Sequence, residues 1–387
     1  MLDCRKEDFF LPEGRHYLNC AYMAPMARVV EEAGIEGIRR KRDPATIEPL
    51  DFFETGDAIR ASFARLVGVG EPDRVALVPA ASYGLSVAAR NLPIEAGQHI
   101  VTLKEQFPSN VYTWTRLAAE REALVVCVEP AEGPQRGRRW NERLLEAINR
   151  KTAVVALPGV HWADGTVFDL EAVGQRCREV GAALVVDGTQ SVGAFPFDVS
   201  RVQPDALVCP GYKWLLGPYS FGMAYFGPRF DGGVPLEENW IARRDSHDFA
   251  GLVRYREEYG RGATRYDVGE RSNFVLAPMM LAALRMLEEW TVPAISRYCA
   301  GLADPIVTAA RELGYGVEED DLRAPHLFGL RMPPGLAPEV LRDELARRRV
   351  SVSIRGDAVR VSPNVYNDAA DVAALIEGLE VHRGASA

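Results

Sequence analysis

The sequence lacks three features that define specialised classes of protein. No apolar run approaches the ~20 residues that a membrane-spanning helix needs, so we expect no membrane partner. The six cysteines are scattered without a CxxC pair, which disfavours a disulfide framework and a zinc site. Lys and Arg number 45 against 54 Asp and Glu, a formal charge of -9, so no basic surplus is available for nucleic acid.

Other signals of location and cofactor are also missing. The first residues, MLDCRKEDFF, lack the apolar stretch of a secretory signal, and with the unpaired cysteines this predicts a cytoplasmic protein. The six histidines show no metal-ligand spacing, so we expect no metal. The glycines before Pro72 begin like a dinucleotide loop, but a third glycine is absent and proline lacks the required N–H.

What the sequence does have is an ordinary globular composition, with 47% hydrophobic and 26% charged residues, and length for about two domains. Short runs rich in Val, Leu and Ala alternate with segments of helical period. Such runs are typical of buried parallel strands, and their alternation with helices predicts an α/β fold with a doubly wound sheet. The runs lie at 74–80, 99–103, 123–130, 152–159, 182–188, 205–211 and 221–227.

The predicted helices, together with a change in amino-acid composition along the chain, define the expected domains. Helices are predicted at 141–150 and at 169–181, and a long apolar helix at 274–290. The stretch 231–269 is rich in charges and aromatics and is expected to form a cover. Strands at 327–333 and 350–363 with helices at 337–348 and 368–380 predict a smaller α+β domain. We therefore expect a large domain over 16–274, a linking helix over 275–292, and a small domain over 293–387 with 1–15.

Polar residues follow several of the predicted strands, where ligands bind in open α/β sheets. Ser82 follows the run 74–80 and is placed to cap a helix whose free N–H groups suit a phosphate; a plain capping serine is the alternative. Asp187 ends a buried strand, and a carboxylate there needs a cation or several donors.

Lys213 follows the next strand among aromatic residues. A desolvated lysine can act as an amine nucleophile, although an isolated lysine is equally often a solvated surface residue. A buried acid, a lysine and a phosphate-type turn are together the three anchors that a pyridoxal phosphate enzyme requires.

The segment VVDGTQSVGAFPFDVSRVQPDALVCPGYKWLLGPYSFGMAYFG (185–227) resembles the class V aminotransferase family, which includes cysteine desulfurases, kynureninase-like hydrolases and isopenicillin N epimerase-like enzymes. The likeness extends to residues 17–26, 80–84, 105–110, 269–274 and 359–368. It implies the fold type I architecture, with a large mixed sheet and a smaller C-terminal domain. It also implies pyridoxal 5'-phosphate as cofactor, an amino acid substrate, and a homodimer with active sites at the subunit interface.

The resemblance also implies roles for individual residues. Lys213 resembles the lysine that forms a Schiff base with the cofactor, Asp187 the partner of the ring nitrogen, and Gln190 a donor to the ring hydroxyl. Arg360 matches the arginine that grips a substrate carboxylate, which suits its forked guanidinium. A residue near Arg271 reaches the phosphate of the neighbouring subunit in the family. The remaining expected contacts are Ala81, Ser82, Tyr83 and Tyr212 with the cofactor, and Asn19, Ala21 and Trp162 with the substrate.

Departures from the family pattern reduce the number of reactions that this chain is expected to catalyse. Phe107 stands where desulfurases carry a histidine, so we expect it to stack on the cofactor ring, with a core phenylalanine as the alternative. The loop 353–357 lacks the mobile cysteine that desulfurases need for persulfide chemistry. Tyr212 and Pro210 replace a histidine and a serine that often precede the lysine in the family. Other residues must therefore supply part of the phosphate binding. Either His161 or Trp162 replaces a family asparagine, and a purely structural His161 is an equal possibility.

The expected activity is that of a class V aminotransferase, ranked first on family prevalence alone. The alternatives are a carbon-sulfur β-lyase, a kynureninase-type hydrolase or an amino acid epimerase. A non-catalytic scaffold is disfavoured because Lys213, Asp187 and Arg360 are present together. A nicotinamide-dependent enzyme is disfavoured by Pro72.

Overall fold

A computed structural model of the chain describes residues 2–131, 133 and 135–380. Its helices are α1 Arg28–Arg40, α2 Glu54–Leu66, α3 Ala81–Asn91, α4 Ser109–Arg121, α5 Arg136–Ala147, α6 Leu170–Val180, α7 Val199–Val202, α8 Leu276–Trp290, α9 Val292–Glu312, α10 Pro338–Arg347 and α11 Ala369–Leu379. Its strands are β1 His16–Tyr17, β2 Val75–Val78, β3 His99–Leu103, β4 Leu124–Val128, β5 Thr152–Pro158, β6 Ala183–Asp187, β7 Ala206–Pro210, β8 Gly222–Phe226, β9 Phe328–Arg331, β10 Val350–Ser351, β11 Ser353–Arg355 and β12 Ala358–Val361.

The seven strands predicted between residues 74 and 227 are confirmed as β2 to β8, and they form one sheet in the order β2-β8-β7-β6-β5-β3-β4. Strands β3 to β7 pair in parallel, whereas β8 is antiparallel to both β2 and β7. The sheet is therefore mixed, as the fold prediction has it. A parallel orientation for the run 221–227 is wrong, because residues 211–221 join β7 to β8 without the crossover helix that parallel pairing needs.

Strand β4 differs from the prediction in its burial. It pairs with β3 at one edge of the sheet, and Leu124 and Val125 are 57% and 36% exposed. The expectation of a buried strand at 123–130 is wrong here, because an edge strand with one open face shows apolar side chains to solvent. The remaining large-sheet strands are largely buried between helices on both faces, which is the doubly wound arrangement.

The predicted helix signals hold for α6. The carboxylate of Asp169 accepts a hydrogen bond from the N–H of Ala172 at 3.0 Å, and Gly181 ends the helix with φ +81°. Both features are common at helix ends, because a short acidic side chain satisfies a free N–H at the start and glycine adopts the left-handed conformation at the end without strain. The segment 231–269 contains only 3₁₀ turns, including Phe249–Gly251 and Gly262–Tyr266, in keeping with a cover.

The C-terminal part has its own sheet and core. Strands β11, β12 and β9 form an antiparallel sheet, and helices α9, α10 and α11 bury a second apolar cluster against it. The predicted strands and helices of this region are thereby confirmed. Strand β1 pairs with β10, and Leu18 packs in this second cluster, so the N-terminal segment links the two parts. The domain boundaries at residues 16, 274 and 292 stay predictions.

Candidate active site

The carboxyl ends of adjacent strands bring the predicted acid and lysine to one edge of the large sheet. Asp187 is the last residue of β6, and Lys213 lies in the loop that follows β7. Strand β2 shares the direction of β7, because both are antiparallel to β8, so α3 opens at the same edge. One small cavity there is lined by Gln106, Phe107, Pro158, Val160, Trp162, Asp187, Thr189, Gln190 and Lys213.

Lys213 is a desolvated lysine and not a surface residue, being only 6% exposed. Its Nζ lies over two aromatic rings, 5.7 Å from the centroid of Phe107 and 5.5 Å from that of Tyr212. Burial, assisted by the positive charge of Arg360, lowers the pKa of Lys213 to about 8, while the charge of Asp187 acts in the opposite direction. The amine is still mostly protonated at pH 7, but its neutral, nucleophilic fraction is much larger than that of an ordinary lysine.

Asp187 presents a buried carboxylate to the same cavity. The backbone N–H of Thr189 donates to it at 3.0 Å, and burial raises the pKa of Asp187. A carboxylate in that environment gains stability from a cation or a protonated ring nitrogen placed beside it. Gln106 Nε2 is also buried here, with no hydrogen-bond partner among the described residues. The cavity therefore offers both an acidic group and an unpaired donor to a polar ligand.

Gln190 is held in place by three hydrogen bonds. Its Nε2 donates to the carbonyl of Ala21 at 3.2 Å, and its Oε1 accepts from Nε1 of Trp214 at 2.8 Å. His326 Nε2 donates to the backbone carbonyl of Gln190 at 2.7 Å. An amide nitrogen has a second N–H, so Gln190 retains a donor for the cavity that it lines.

Two aromatic residues form a wall of the cavity. Phe107 is 39% exposed, which rules out the alternative of a core phenylalanine, and its ring meets that of Trp162 edge to face at 5.6 Å. Trp162 Nε1 donates to the carbonyl of Glu105 at 2.6 Å. His161, in contrast, is fully buried, and its ring nitrogens contact Asp164 Oδ1 at 3.0 Å and the Glu105 carbonyl at 3.1 Å. Trp162 therefore lines the cavity, whereas His161 has a structural role in the interior.

The N-terminus of α3 differs in detail from the prediction. The helix begins at Ala81, its N-cap residue is the extended Ala80, and no side chain caps it. Capping by Ser82 is therefore wrong, because Ser82 is the second residue inside the helix. The leading N–H groups of a helix have no intrahelical acceptor, so this terminus still suits a phosphate, and the exposed Ser82 hydroxyl is nearby. Tyr83 Oη is buried without a partner among the described residues.

Arg360 lies on β12 and is 2% exposed. Its guanidinium donates to the carbonyl of Trp162 at 2.9 Å and to Ser353 Oγ at 3.4 Å, while its Nε has no partner in the described chain. Burial and the neighbouring charge of Arg355 lower the pKa of Arg360 to about 10. A buried guanidinium without a carboxylate partner is an incomplete ion pair that favours an anionic ligand.

The predicted substrate residues Asn19 and Ala21 lie in the segment that joins the two sheets. Asn19 is buried and accepts a hydrogen bond from Ser353 Oγ at 2.9 Å, which places it next to a contact of Arg360. The N–H of Ala21 donates to Ser362 Oγ at 3.1 Å. Direct contact of either residue with a substrate stays a prediction.

Arg271 and Tyr212 occupy different surroundings. Arg271 is 5% exposed, with Nε 2.9 Å from Asp267 Oδ2 and its guanidinium 5.4 Å from the Phe53 ring centroid. These contacts are all within its own chain, and a role at the phosphate of a neighbouring subunit stays a prediction. Tyr212 packs on Tyr219 with centroids 4.6 Å apart, beside Lys213.

Sequence reasoning did not assign Gln106, Thr189 or His326, which the structure adds to this region. Gln106 and Thr189 line the cavity, and each lies within a segment that carried the family resemblance, next to or two positions from a predicted residue. His326 lies far away in sequence and contacts Gln190 through the fold, so no local pattern could have revealed it.

Among residues 2–131, 133 and 135–380, no cluster of three or more His, Cys, Asp or Glu could hold a metal ion. No helix in the same residues is long and apolar enough to cross a membrane.

Known proteins resemble this chain in architecture and in sequence. The family described as aminotransferase class-V matches residues 51–237. An uncharacterized aminotransferase of Bacillus subtilis, YcbU, is 27% identical over 81% of this chain and 80% of its own length. The isopenicillin N epimerase of Streptomyces clavuligerus is 24% identical over 95% of this chain and 94% of its own. A solved cysteine desulfurase from Thermococcus onnurineus NA1 superposes with a TM-score of 0.81 at 21% identity, over 99% of this chain and all of that one.

The fold is that of the type I pyridoxal phosphate enzymes. Over residues 51–237 the chain is similar to the class V aminotransferases, and it is accordingly a pyridoxal phosphate enzyme that acts on an amino acid. The side chains around the cavity suit that cofactor chemically, because they combine a buried amine, a buried carboxylate and the unpaired Nε2 of Gln106 at one sheet edge that also holds a helix N-terminus.

Proposed function

We propose that this protein is an aminotransferase in which Lys213 carries the cofactor and also moves the substrate proton. The observation that carries the proposal is the buried amine of Lys213, with its pKa lowered to about 8, in one cavity with Asp187 and Phe107. When bound, pyridoxal phosphate supplies an aldehyde for covalent attachment and a ring that accepts electrons from the α-carbon of the substrate.

Each residue of the cavity then has a defined task. Lys213 would hold the cofactor through its amine and, with substrate in the cavity, would be the base that takes the proton from the substrate α-carbon. Asp187 would keep a proton on the nitrogen of the cofactor ring. Phe107 and Trp162 cover one side of the cavity and exclude water from it. We assign the phosphate to the N-terminus of α3 and the ring hydroxyl to Gln190.

Arg360 is the proposed anchor for the α-carboxylate of the substrate. Its pKa stays near 10, so it is positively charged at physiological pH, and its burial strengthens its attraction for an anion. Asn19, Ala21 and Trp162 would border the same substrate, because Trp162 and Ser353 contact Arg360 and Asn19 contacts Ser353.

Desulfurase chemistry is disfavoured by the cysteines of this chain. Loop 353–357 contains no thiol, and Cys20, between the predicted substrate residues Asn19 and Ala21, is completely buried. Burial raises the pKa of Cys20 to about 11, so it is held as the unreactive thiol and not as a thiolate. Epimerisation is the second candidate, because the Streptomyces clavuligerus epimerase aligns with 95% of the chain.

Two further proposals concern assembly and location. We propose a homodimer, with the exposed side chains of Tyr22, Ile35 and Ile38 at the interface, since patches of such residues on a folded chain mark contact surfaces. We also propose a cytoplasmic location, because all six cysteines are free.

The test is a visible absorption spectrum of the purified protein before and after a panel of amino acids, with analysis of the products. A keto acid supports the aminotransferase, an inverted enantiomer the epimerase, and released ammonia or sulfide a lyase. Lys213→Ala should lose the cofactor that borohydride fixes to the protein, whereas Lys104→Ala, at a lysine paired with Glu129 outside the cavity, should retain it. Fixation that survives in Lys213→Ala would remove this lysine from its role.

A further inference from the structure

Arg355 and Arg360 lie on the same face of a short β-hairpin. In the β11–β12 pair, Ser353 is opposite Arg360 and Arg355 is opposite Ala358. Residues directly opposite in an antiparallel pair point to the same face, and diagonal neighbours such as these two arginines are about 7 to 8 Å apart at the backbone. The turn between the strands is Gly356-Asp357, in which Gly356 has φ +58°, a conformation that fixes the register of the two strands.

Arg355 faces a large cleft that adjoins the catalytic cavity. The cleft has a volume of about 1010 Å³, and Arg355 and Trp162 both line it. Trp162 also lines the smaller cavity around Lys213, so the two spaces share this residue as a border. The guanidinium of Arg355 lies 5.7 Å from the centroid of the Trp162 ring.

Arg355 differs from the other basic residues of the cleft in having no acidic partner in the described part of the chain. Arg136 pairs with Asp164 at 2.6 Å, Arg331 with Asp357 at 3.0 Å, and Lys104 with Glu129 at 3.5 Å. Arg355 instead donates to the backbone carbonyl of its neighbour Ile354 at 2.9 Å.

The positive charges at this place repel one another. The charge of Arg355 acts to lower the pKa of both Arg360 and Lys213, after the larger effect of burial. Among the largest effects on the pKa of Lys213, Asp187 is the one carboxylate. Bringing anionic groups to both arginines would relieve this repulsion, whereas a substrate with a single carboxylate leaves one arginine uncompensated.

We propose that Arg355 binds an anionic group at the end of the substrate side chain while Arg360 binds the α-carboxylate. The substrate class is therefore amino acids with an anionic side chain. Ala358, opposite Arg355 in the register, contributes only a methyl group and leaves this face open for the ligand. The inference rests on the proposed function for the identity of the site, and it adds Arg355 as the residue that determines specificity.

The experiment compares matched pairs of ligands. Aspartate, glutamate and phosphoserine are titrated against asparagine, glutamine and serine, with the absorption change of the cofactor as the measure of binding. Glutarate and its monoamide, which lack an amine, are titrated by calorimetry, so that binding is also measured without any reaction. Each titration is repeated on Arg355→Gln, on Arg355→Lys, and on Lys104→Gln, which removes a paired positive charge from the same cleft.

We expect the wild-type protein to bind the best anionic ligand about 10- to 150-fold more tightly than its neutral counterpart, as a charged hydrogen bond provides. Arg355→Gln should abolish that preference, Arg355→Lys should keep part of it, and Lys104→Gln should leave it unchanged. The best of the three anions distinguishes a carboxylate from a phosphate. Equal binding of glutarate and its monoamide, and of every anionic and neutral pair, would overturn the inference. The proposed function fails separately, if no amino acid changes the spectrum or if no keto acid is found among the products.

Discussion

The amine of Lys213 lies over the face of the Phe107 ring, 5.7 Å from its centroid. Lys213 follows β7 and Phe107 follows β3, two strands that β5 and β6 separate in the sheet, and Asp187 at the end of β6 lies between them. A sheet edge thus assembles a nucleophile, an acid and an aromatic wall from three distant parts of the sequence. The low dielectric of the cavity makes the charges around Lys213 effective on its pKa.

The rate at which the cofactor-free protein takes up pyridoxal phosphate should rise with pH through about 8. The reason is that the attacking form of Lys213 is the neutral amine, and the pKa of this lysine is lowered to about 8 by burial and by Arg360. Stopped-flow absorbance across a pH series measures the midpoint.

Two variants should move that midpoint in opposite directions. Arg360→Gln removes a positive charge that disfavours the ammonium form, so the pKa of Lys213 should rise and the midpoint should move to higher pH. Asp187→Asn removes a negative charge that favours the ammonium form, so the midpoint should move to lower pH. A midpoint common to all three proteins would show that another group controls uptake.

Loss of the Arg360 guanidinium should weaken amino acid binding by about 10- to 150-fold, because a buried charged hydrogen bond to the substrate carboxylate is removed. Spectral titration of Arg360→Gln with an amino acid and with its α-amide makes the comparison. The acid should lose affinity and the amide should not, while Arg360→Lys should be intermediate because it keeps the charge without the fork. An equal loss for both ligands would indicate a structural role for Arg360.

The sequence predicts the strands and the strand-end residues well because both are local. An apolar run such as 182–188 specifies a buried strand, and the residue that ends it must lie at the sheet edge, which fixes Asp187. The environment of a site depends on tertiary contacts and is not local. Neither the bond from His326 to Gln190 nor the shared face of Arg355 and Arg360 follows from any sequence spacing without the register of the strands.

The predictions from the sequence that are wrong also have physical causes. Ser82 is predicted to cap α3, but the N-cap residue is Ala80, two positions earlier, and helix ends vary by one or two residues without changing the hydrophobic pattern. The run 123–130 is as apolar as its neighbours, yet β4 is an edge strand, because strand order in the sheet is a property of the whole fold.

His326 should make the protein less stable in acid. Burial lowers the pKa of His326 to about 4 in the folded chain, against 6.5 for the free side chain, so the unfolded chain binds the extra proton between these values. The contribution of the neutral ring to the free energy of unfolding is therefore fully present above pH 6.5. It is lost as the pH falls toward 4, and the total loss is about 3 kcal/mol. Urea unfolding of the wild type and of His326→Gln across this range measures the difference.

The comparison of those two proteins isolates the histidine from the carboxylates that also titrate in acid. Glutamine keeps a donor for the carbonyl of Gln190 and has no charge to gain, so His326→Gln should lose less stability than the wild type between pH 6.5 and 4. Parallel curves of unfolding free energy against pH would contradict a neutral buried His326.

The exposed face of α1 should hold the proposed homodimer together. Gly34 and Gly37 lie against α8 and the residues just before it, where a Cβ at Gly37 would come within 2.1 Å of the Phe274 carbonyl. Ile35 and Ile38, which follow these two glycines on α1, remain 39% and 61% exposed. Sedimentation should give twice the chain mass of 42.7 kDa for the wild type, and Ile38→Glu should shift the protein toward the monomer. Val340→Glu, at a valine 47% exposed on α10, is the matched control and should remain dimeric. A wild type that sediments as a monomer at micromolar concentration, or an unchanged dimer in Ile38→Glu, would remove this face from the interface.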